Sequence, residues 1–292
     1  MLGFLQNWLP VNASEHGPLI DQMNALVHWL MFVLFVGWAL YFVYVLFRFR
    51  SGANPRASYG GAKSHVSQYI EIGVAVAEVV ILVFFAIPVW AVWVDPPIDP
   101  DNTFEVRVVA EQFAWNVHYA GPDGVFGTTG IDMITPTNPI GLDRTDPYAV
   151  DDVTAINQLH LPVDRDVTVL LSSKDVIHSF ALPQMRVKQD SVPGLLIPLH
   201  FKPIMVTPPE SRFPACNADK TCWEIACAQL CGLGHYRMRG FYTVMEADEF
   251  DAWMAEQVAA VMPEQPAASE ADAPAEADGV QASDDEGDDG AH

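Results

Sequence analysis

The segment Cys227-Ala-Gln-Leu-Cys231-Gly-Leu-Gly-His235-Tyr-Arg-Met238 places two thiols, one imidazole and one thioether within one short stretch of chain. Thiolate, imidazole and thioether groups are the ligands that copper takes from proteins. A blue-copper site needs one Cys, two His and a weak axial Met. The two cysteines are enough to bridge two copper ions as shared thiolates. A second His is then required, and the candidate is His178 in Asp175-Val-Ile-His178-Ser-Phe180.

This segment resembles the dinuclear copper (CuA) loop of cytochrome c oxidase subunit II. The resemblance covers roughly residues 20–250 and includes His178–Gly194, which contains the stretch that the family carries around its first copper His. It implies a cupredoxin-like Greek-key sandwich with two bridging thiolates, one His on each copper ion, and two weak ligands. The implied ligands are Cys227, Cys231, His178, His235, Met238 and the backbone carbonyl of Gln229.

Three positions depart from the family pattern, and one of them is Leu195, which follows Pro193-Gly194 where the family often has Arg. Gln112–Tyr119 resembles the aromatic stretch through which electrons enter, but Phe113 stands where the family has its entry Trp, and Trp115 matches the second Trp. Gln229 stands where many members have a Glu whose side chain binds magnesium. A neutral amide is a poorer ligand for a hard cation, so magnesium is not predicted, although Asp190 matches a nearby acid of the pattern.

Two apolar runs near the N-terminus predict a helical hairpin in a membrane. Ala25–Phe47 is interrupted by His28, and Ile72–Val94 is interrupted by Glu78. Each run exceeds the length of about 20 helical residues that crosses a bilayer core. We therefore assign 1–23 to an N-terminal segment and 24–95 to the hairpin, with spans at about 25–47 and 70–94. The alternative, two buried helices of a soluble protein, is disfavoured because buried helices are seldom apolar all round for this length.

The loop between the two runs sets the expected orientation. It carries Arg48, Arg50, Arg56 and Lys63, and residues 48–70 contain no acid. An excess of Lys and Arg marks the cytoplasmic side of a membrane. The sequence thus predicts a two-span protein of the cell membrane, with both termini and the copper domain on the extracytoplasmic side. The N-terminus lacks the basic region of a cleavable signal peptide, so the first span is expected to be retained.

The remaining chain divides into a β-rich domain, a short helix and an acidic tail. Alternation in Phe104–Ala110 and Asp166–Leu171, with short apolar runs between turn residues, predicts an all-β sandwich or barrel at 96–250. Residues 120–152 have no clear period and are expected to form a long surface loop. An amphipathic stretch at about 247–261 predicts a helix. When the chain is divided into domains, the β-rich domain ends at residue 250 and residues 251–262 are assigned to this helix.

Charge is concentrated in the last thirty residues. Residues 263–292 hold ten Asp and Glu and no Lys or Arg, and this composition predicts a disordered tail. The net charge of the whole chain is −22, so the rest carries −22 + 10 = −12. The acidic surface is interpreted either as a solvated surface in a salty environment or as a means of steering a basic electron donor.

Four cysteines leave several pairings open, because four thiols can form disulfides in three ways. With Cys227 and Cys231 assigned to copper, Cys216 and Cys222 are expected to close a small disulfide loop across a turn-forming segment. Two free thiols and a four-Cys zinc site are the alternatives, and the spacing disfavours zinc. The chain has no Cys-x-x-Cys-His motif, so no c-type haem is attached to it.

Two acids lie in or beside the second apolar run. An acid inside a membrane helix indicates function by default. Glu71 lies near the cytoplasmic end and Glu78 one or two turns deeper, on nearly the same face. The family has a glutamate in this region that feeds protons into the catalytic subunit, and either residue is a candidate for that role.

The resemblance implies an electron-entry subunit of a haem-copper terminal oxidase. Such a subunit accepts single electrons from cytochrome c or a small copper protein. It passes them to haem in subunit I, where oxygen is reduced to water and protons are translocated. Alternatives are the copper subunit of a membrane nitric oxide reductase, a quinol oxidase subunit, and a tethered one-copper electron carrier. Quinol oxidase subunits lack the copper ligands, and a one-copper carrier needs a single Cys.

Overall fold

The structure is a computed structural model that describes residues 9–56, 59–60, 64–94, 102–216 and 222–262. The predicted disordered tail at 263–292 and the predicted cytoplasmic cation Lys63 lie outside the described residues.

Two apolar helical segments precede the β-domain. Helix α1 spans Gly17–Arg48. The second segment runs through α2 (Val66–Ile81), a π-helical turn (Leu82–Ala86) and α3 (Ile87–Val94). Both segments are long and apolar enough to cross a membrane.

Helix α1 begins at Gly17, inside the N-terminal segment 1–23 that precedes the predicted membrane span. A Pro in its first turn suits a helix start, because the first N–H groups have no partner within a helix. The early turns of the helix carry Asp21. A search for apolar runs excludes this polar residue, but the β-domain buries it. The helix therefore extends beyond the predicted membrane span by about two turns.

The β-domain is a sandwich of two five-stranded sheets, as the resemblance implied. One sheet has the order β3-β2-β1-β5-β8 and the other β4-β10-β9-β6-β7. The strands are β1 (Thr103–Glu111), β2 (Ala114–Tyr119), β3 (Val153–Ile156), β4 (Gln158–Pro162), β5 (Asp166–Ser173), β6 (His178–Leu182), β7 (Val187–Ser191), β8 (Ile197–Phe201), β9 (Glu224–Cys227) and β10 (Arg239–Met245). Parallel pairs β1–β5 and β4–β10 within otherwise antiparallel sheets make both sheets mixed.

Alternating side chains of the central strands fill the space between the sheets. In β1, Val106, Val108 and Ala110 are buried, while the residues between them are partly accessible. This is the period of two expected when one sheet face meets a core and the other meets solvent. Trp115 of β2 and Phe180 of β6 are fully buried, and their rings pack edge to face across the sandwich with centroids 5.5 Å apart.

The C-terminal helix α4 (Ala247–Val261) begins before the boundary at residue 250 that the sequence suggested. Its first turn belongs to the domain, because Phe250 is buried against Phe104, with ring centroids 5.1 Å apart. Trp253 follows on the same face and stacks on His160, with centroids 4.2 Å apart. The helix thus packs on the domain, and its bounds agree with the amphipathic stretch predicted at about 247–261.

The segment before α1 is tied to the β-domain by backbone hydrogen bonds. The N–H of Ala13 donates to the carbonyl of Gln184 at 2.8 Å, and the N–H of Glu15 donates to the carbonyl of Lys202 at 3.0 Å. Arg186 reinforces the junction through a bidentate ion pair with Asp21, whose two contacts measure 2.8 and 3.1 Å. The first membrane helix is therefore fixed to the domain at its start.

Candidate metal centre

Strand ends bring the predicted ligands to one end of the sandwich. His178 is the first residue of β6, and Cys227 is the last residue of β9. These strands are antiparallel neighbours, with Phe180 opposite Cys227, so the start of one meets the end of the other. The loop between β9 and β10 carries the other predicted ligands. The side chains of Cys227 and His178, which are 49 residues apart in the chain, thus lie next to each other.

The two thiols form the centre of the cluster. The Sγ atoms of Cys227 and Cys231 are 3.8 Å apart. Cys231 is buried, and Cys227 is partly accessible. Burial is the main reason that the pKa of the Cys231 thiol rises to about 11, with the neighbouring Cys227 as a further cause. Such a thiol keeps its proton at neutral pH until a cation compensates the thiolate.

The imidazoles lie beside different sulfur atoms. The Nδ1 atom of His178 is 4.0 Å from Cys227 Sγ, and that of His235 is 3.7 Å from Cys231 Sγ. The ligand atoms of His178, Cys227 and Cys231 all lie within 4.8 Å of one another. His235 stands outside this compact group, as expected if each imidazole serves a different ion.

Two weaker donors complete the cluster. The Sδ atom of Met238 lies 3.1 Å from His178 Nδ1 and 3.6 Å from Cys231 Sγ. The carbonyl oxygen of Gln229 lies 3.2 Å from Cys227 Sγ. The Gln229 side chain is not needed for this contact, so its replacement of a family Glu leaves the backbone donor in place. The donor set of soft sulfur and imidazole fits copper.

Asp175, which the sequence did not single out, orients His178. Its Oδ1 atom lies 2.8 Å from His178 Nε2, so the ring presents Nδ1 to the cluster. Its other oxygen accepts the backbone N–H of Gln112 at 2.7 Å. Burial acts to raise the pKa of Asp175, but hydrogen bonds from His178 and the N–H groups of Gln112 and Val176 outweigh it and lower the pKa. The sequence signal was an acid three residues before a predicted ligand.

Residues 112 and 113 brace the ligand loop from the other sheet. The side-chain amide of Gln112 donates to the carbonyl of Cys231 at 2.6 Å. The ring of Phe113 lies against Gly234, where an added Cβ would be 2.4 Å from the Phe113 Cδ2 atom. A glycine is required there because the aromatic ring occupies the space of a side chain.

The two candidate electron-entry aromatics lie at different depths. Phe113 is half-buried and contacts the ligand loop, whereas Trp115 is fully buried. The Trp115 ring lies beneath His178, with centroids 6.2 Å apart. Phe113 is therefore closer to the protein surface than Trp115 is.

Other predicted site residues are not part of the cluster. Glu71 and Glu78 are exposed on α2. Asp190 is exposed on β7, opposite Ser179. Cys216 and Cys222 are joined by a disulfide.

Three other histidines of the β-domain have structural partners. His118 is buried with its Nε2 atom 2.6 Å from Asp152. His200 Nδ1 lies 2.9 Å from the hydroxyl of Thr168, and His160 stacks on Trp253.

Comparisons with known proteins identify the family of the chain. The family model for the periplasmic domain of cytochrome C oxidase subunit II matches residues 104–247. The alternative cytochrome c oxidase subunit 2 of Bradyrhizobium diazoefficiens is 32% identical over 251 residues, which are 86% of this chain and 83% of that protein. A probable cytochrome c oxidase subunit 2 of Rickettsia bellii is 29% identical over 245 residues, 82% of this chain and 81% of that protein.

Among solved structures, the periplasmic domain of subunit II of the cytochrome oxidase of Bradyrhizobium japonicum matches with a TM-score of 0.36 and 24% identity, covering 54% of this chain and 95% of that one. The chain belongs to the cytochrome c oxidase subunit II family.

Proposed function

We propose that this chain is the electron-entry subunit of a haem-copper oxidase and that it holds a dinuclear copper centre. The observation that carries the proposal is the pair of thiols 3.8 Å apart with one imidazole beside each sulfur. A single-copper site needs one thiolate, so a second thiolate in contact with the first favours two ions that share both. Copper bound there would supply reversible one-electron oxidation and reduction.

The protein's own residues would hold the ligands in a fixed arrangement. Asp175 fixes the ring of His178, and Gln112 fixes the backbone at Cys231. Trp115 and Phe180 close the interior side of the cluster and exclude water. Ligands that cannot rearrange keep the same positions in both redox states, and this favours fast electron transfer.

The membrane orientation and the partners of the chain follow from the same proposal. The Arg-rich loop after α1 would face the cytoplasm, and the metal centre would face the extracytoplasmic side. An external carrier, either cytochrome c or a small copper protein, would deliver electrons. Haem in subunit I would receive them, and oxygen reduction with proton translocation would take place in that partner. Glu71 or Glu78 would admit protons to the partner subunit from α2.

The metal content and spectrum of the full chain test the copper assignment. After loading with copper, we expect about two copper ions per chain and one unpaired electron shared by both nuclei. His235→Gln should lose this spectrum, because it removes the imidazole beside Cys231. His200→Gln is the matched control, since His200 bonds Thr168 in the same domain and should keep it. One copper ion per wild-type chain, with a single-nucleus spectrum, would rule out the dinuclear centre.

A further inference from the structure

Exposed apolar side chains surround the ligand cluster, although the chain as a whole is strongly acidic. Leu233 is 98% exposed, Tyr236 is 86% exposed and Leu230 is 79% exposed, all within the loop that carries the ligands. Val176 and Ile177, immediately before His178, are also exposed. We call these five residues the apolar rim. Each lies within two residues of a predicted ligand, so the rim borders the centre itself.

Among the residues that the structure describes, the segments that carry the predicted ligands offer few unpaired carboxylates. Residues 176–189 and 225–245 contain no Asp or Glu. Three acids that lie next to the ligand segments or to Gln112 in the sequence are engaged with neighbours. Asp175 bonds His178, Glu224 pairs with Arg239, and Glu111 pairs with Lys174.

Asp190 is an exposed acid near this end of the domain. It has the cation Lys188 two residues away on the same face of β7. The net charge of −22 is therefore carried mainly elsewhere on the chain.

We propose that the apolar rim is the docking surface for the electron carrier, and that this carrier presents an apolar face around its redox centre rather than a ring of lysines. This inference rests on the proposed function, because it names the partner of that centre. A ring of lysines would find no row of free carboxylates here to pair with. Apolar side chains on both partners would exclude water and bring the two redox centres close together.

Docking of this kind forms and breaks no covalent bond. The reduced carrier loses one electron and the centre gains one, so the charges balance without a proton. Because the contact is apolar, association should depend weakly on ionic strength. An electrostatically steered encounter would instead slow steeply as salt is added. Ionic strength thus separates the two kinds of carrier.

The test uses the assembled oxidase, purified with its membrane partners, and two reduced carriers. One is a blue-copper protein whose metal site lies beneath an apolar surface, and the other is a lysine-rich c-type cytochrome. We expect the blue-copper protein to give the higher kcat/KM, with less than about a twofold change between about 0.05 M and about 0.5 M salt. A higher kcat/KM for the cytochrome, with a steep loss in salt, would overturn the proposal.

Variants of the rim then locate the contact. Leu233→Ser with Tyr236→Ser should raise the KM for the blue-copper protein about five- to tenfold, because truncated hot-spot side chains have effects of that size. The control is Tyr148→Ser, another exposed aromatic, which lies in the loop between β2 and β3. It should leave the KM unchanged.

Two further outcomes would contradict the proposal. If the double variant no longer purified with its membrane partners, the rim would be an interface between subunits. If the KM did not change, the carrier would dock elsewhere. Failure of the proposed function is distinct, because the wild-type oxidase would then lack the shared-electron copper spectrum and would not be reduced by a small artificial donor.

Discussion

At the scale of single residues, Asp175 is the clearest test of ligand orientation. Its Oδ1 atom lies 2.8 Å from His178 Nε2 and holds the ring. Partners of this kind typically change metal affinity 10- to 100-fold when they are removed. We expect Asp175→Asn to weaken copper binding about tenfold and Asp175→Ala about 100-fold, measured by competition with a chelator. Asp190→Asn, which removes an exposed acid on β7, should have no effect, and an equal loss there would refute an orienting role for Asp175.

Gly234 provides a second test at this scale. A Cβ at this position would lie 2.4 Å from the Phe113 ring, so Gly234→Ala must displace the ring or the loop. Overpacking of this kind costs about 1–3 kcal/mol in the free energy of unfolding, measured by denaturant titration of the full chain. Phe113→Ala combined with Gly234→Ala should recover part of the loss, because the small residue frees the space. Equal stability of wild type and Gly234→Ala would show that the contact is not rigid.

Local sequence predicted candidate ligands that the structure brings together, but it did not predict the residues that support them. Cys227, Cys231, His235 and Met238 share one loop, so their spacing alone predicted a site. The hydrogen bond from the Gln112 side chain to the Cys231 carbonyl joins residues far apart in the chain, and no local sequence pattern predicts such a contact.

At the scale of elements, helix α4 makes the stability of the domain depend on pH. Burial lowers the pKa of His160 to about 4, with the charge of Arg212 acting in the same direction and Glu249 opposing it. The unfolded chain binds the proton more readily than the folded chain. Stability contributed by neutral His160 is therefore present above pH 6.5 and is lost as the pH falls towards 4.

We expect the free energy of unfolding to fall by about 2–3 kcal/mol across this window through His160. His160→Phe keeps a ring against Trp253 but cannot titrate, so its unfolding curve should depend less on pH. Thermal unfolding of both proteins at a series of pH values measures the difference. Identical pH profiles would assign the acid sensitivity to other groups.

Elements whose apolar residues recur with a clear period could be predicted. Elements whose structure is set by pairing with strands distant in the sequence could not. Alternation in Phe104–Ala110 predicted β1, and the irregular composition of 120–152 predicted the loop between β2 and β3. Strand β2 was not assigned, because all of Trp115–Tyr119 is buried and its residues do not alternate. Its pairing with β1 and β3 decides its structure.

At the scale of the whole molecule, the ion pair between Asp21 and Arg186 joins a membrane helix to the β-domain. Both side chains are 9% exposed. Removing one partner of a buried pair leaves an uncompensated charge and costs about 3–5 kcal/mol. We expect Arg186→Gln or Asp21→Asn to make the segment before α1 accessible to protease in lipid nanodiscs.

The double variant provides the check on this junction. Asp21→Asn with Arg186→Gln should be less destabilised than the sum of the single changes, because neither buried charge then lacks its partner. Lys188→Gln, a change at an exposed residue two positions from Arg186, should leave protease resistance unchanged. Strict additivity of the two single variants would indicate that the pair does not hold the junction.

The disulfide between Cys216 and Cys222 has a consequence for how the chain matures. Its sulfur atoms are oxidised, whereas Cys227 and Cys231, in the next few residues, are free thiols and must stay reduced to serve as the proposed copper ligands. An environment that forms the first bond can also join the second pair, whose thiols already lie 3.8 Å apart. A chain with a disulfide between Cys227 and Cys231 has no thiolate at these positions to bind a metal ion. Assembly therefore requires either that the metal arrives before the oxidant or that a selective reductant opens the second bond and spares the first.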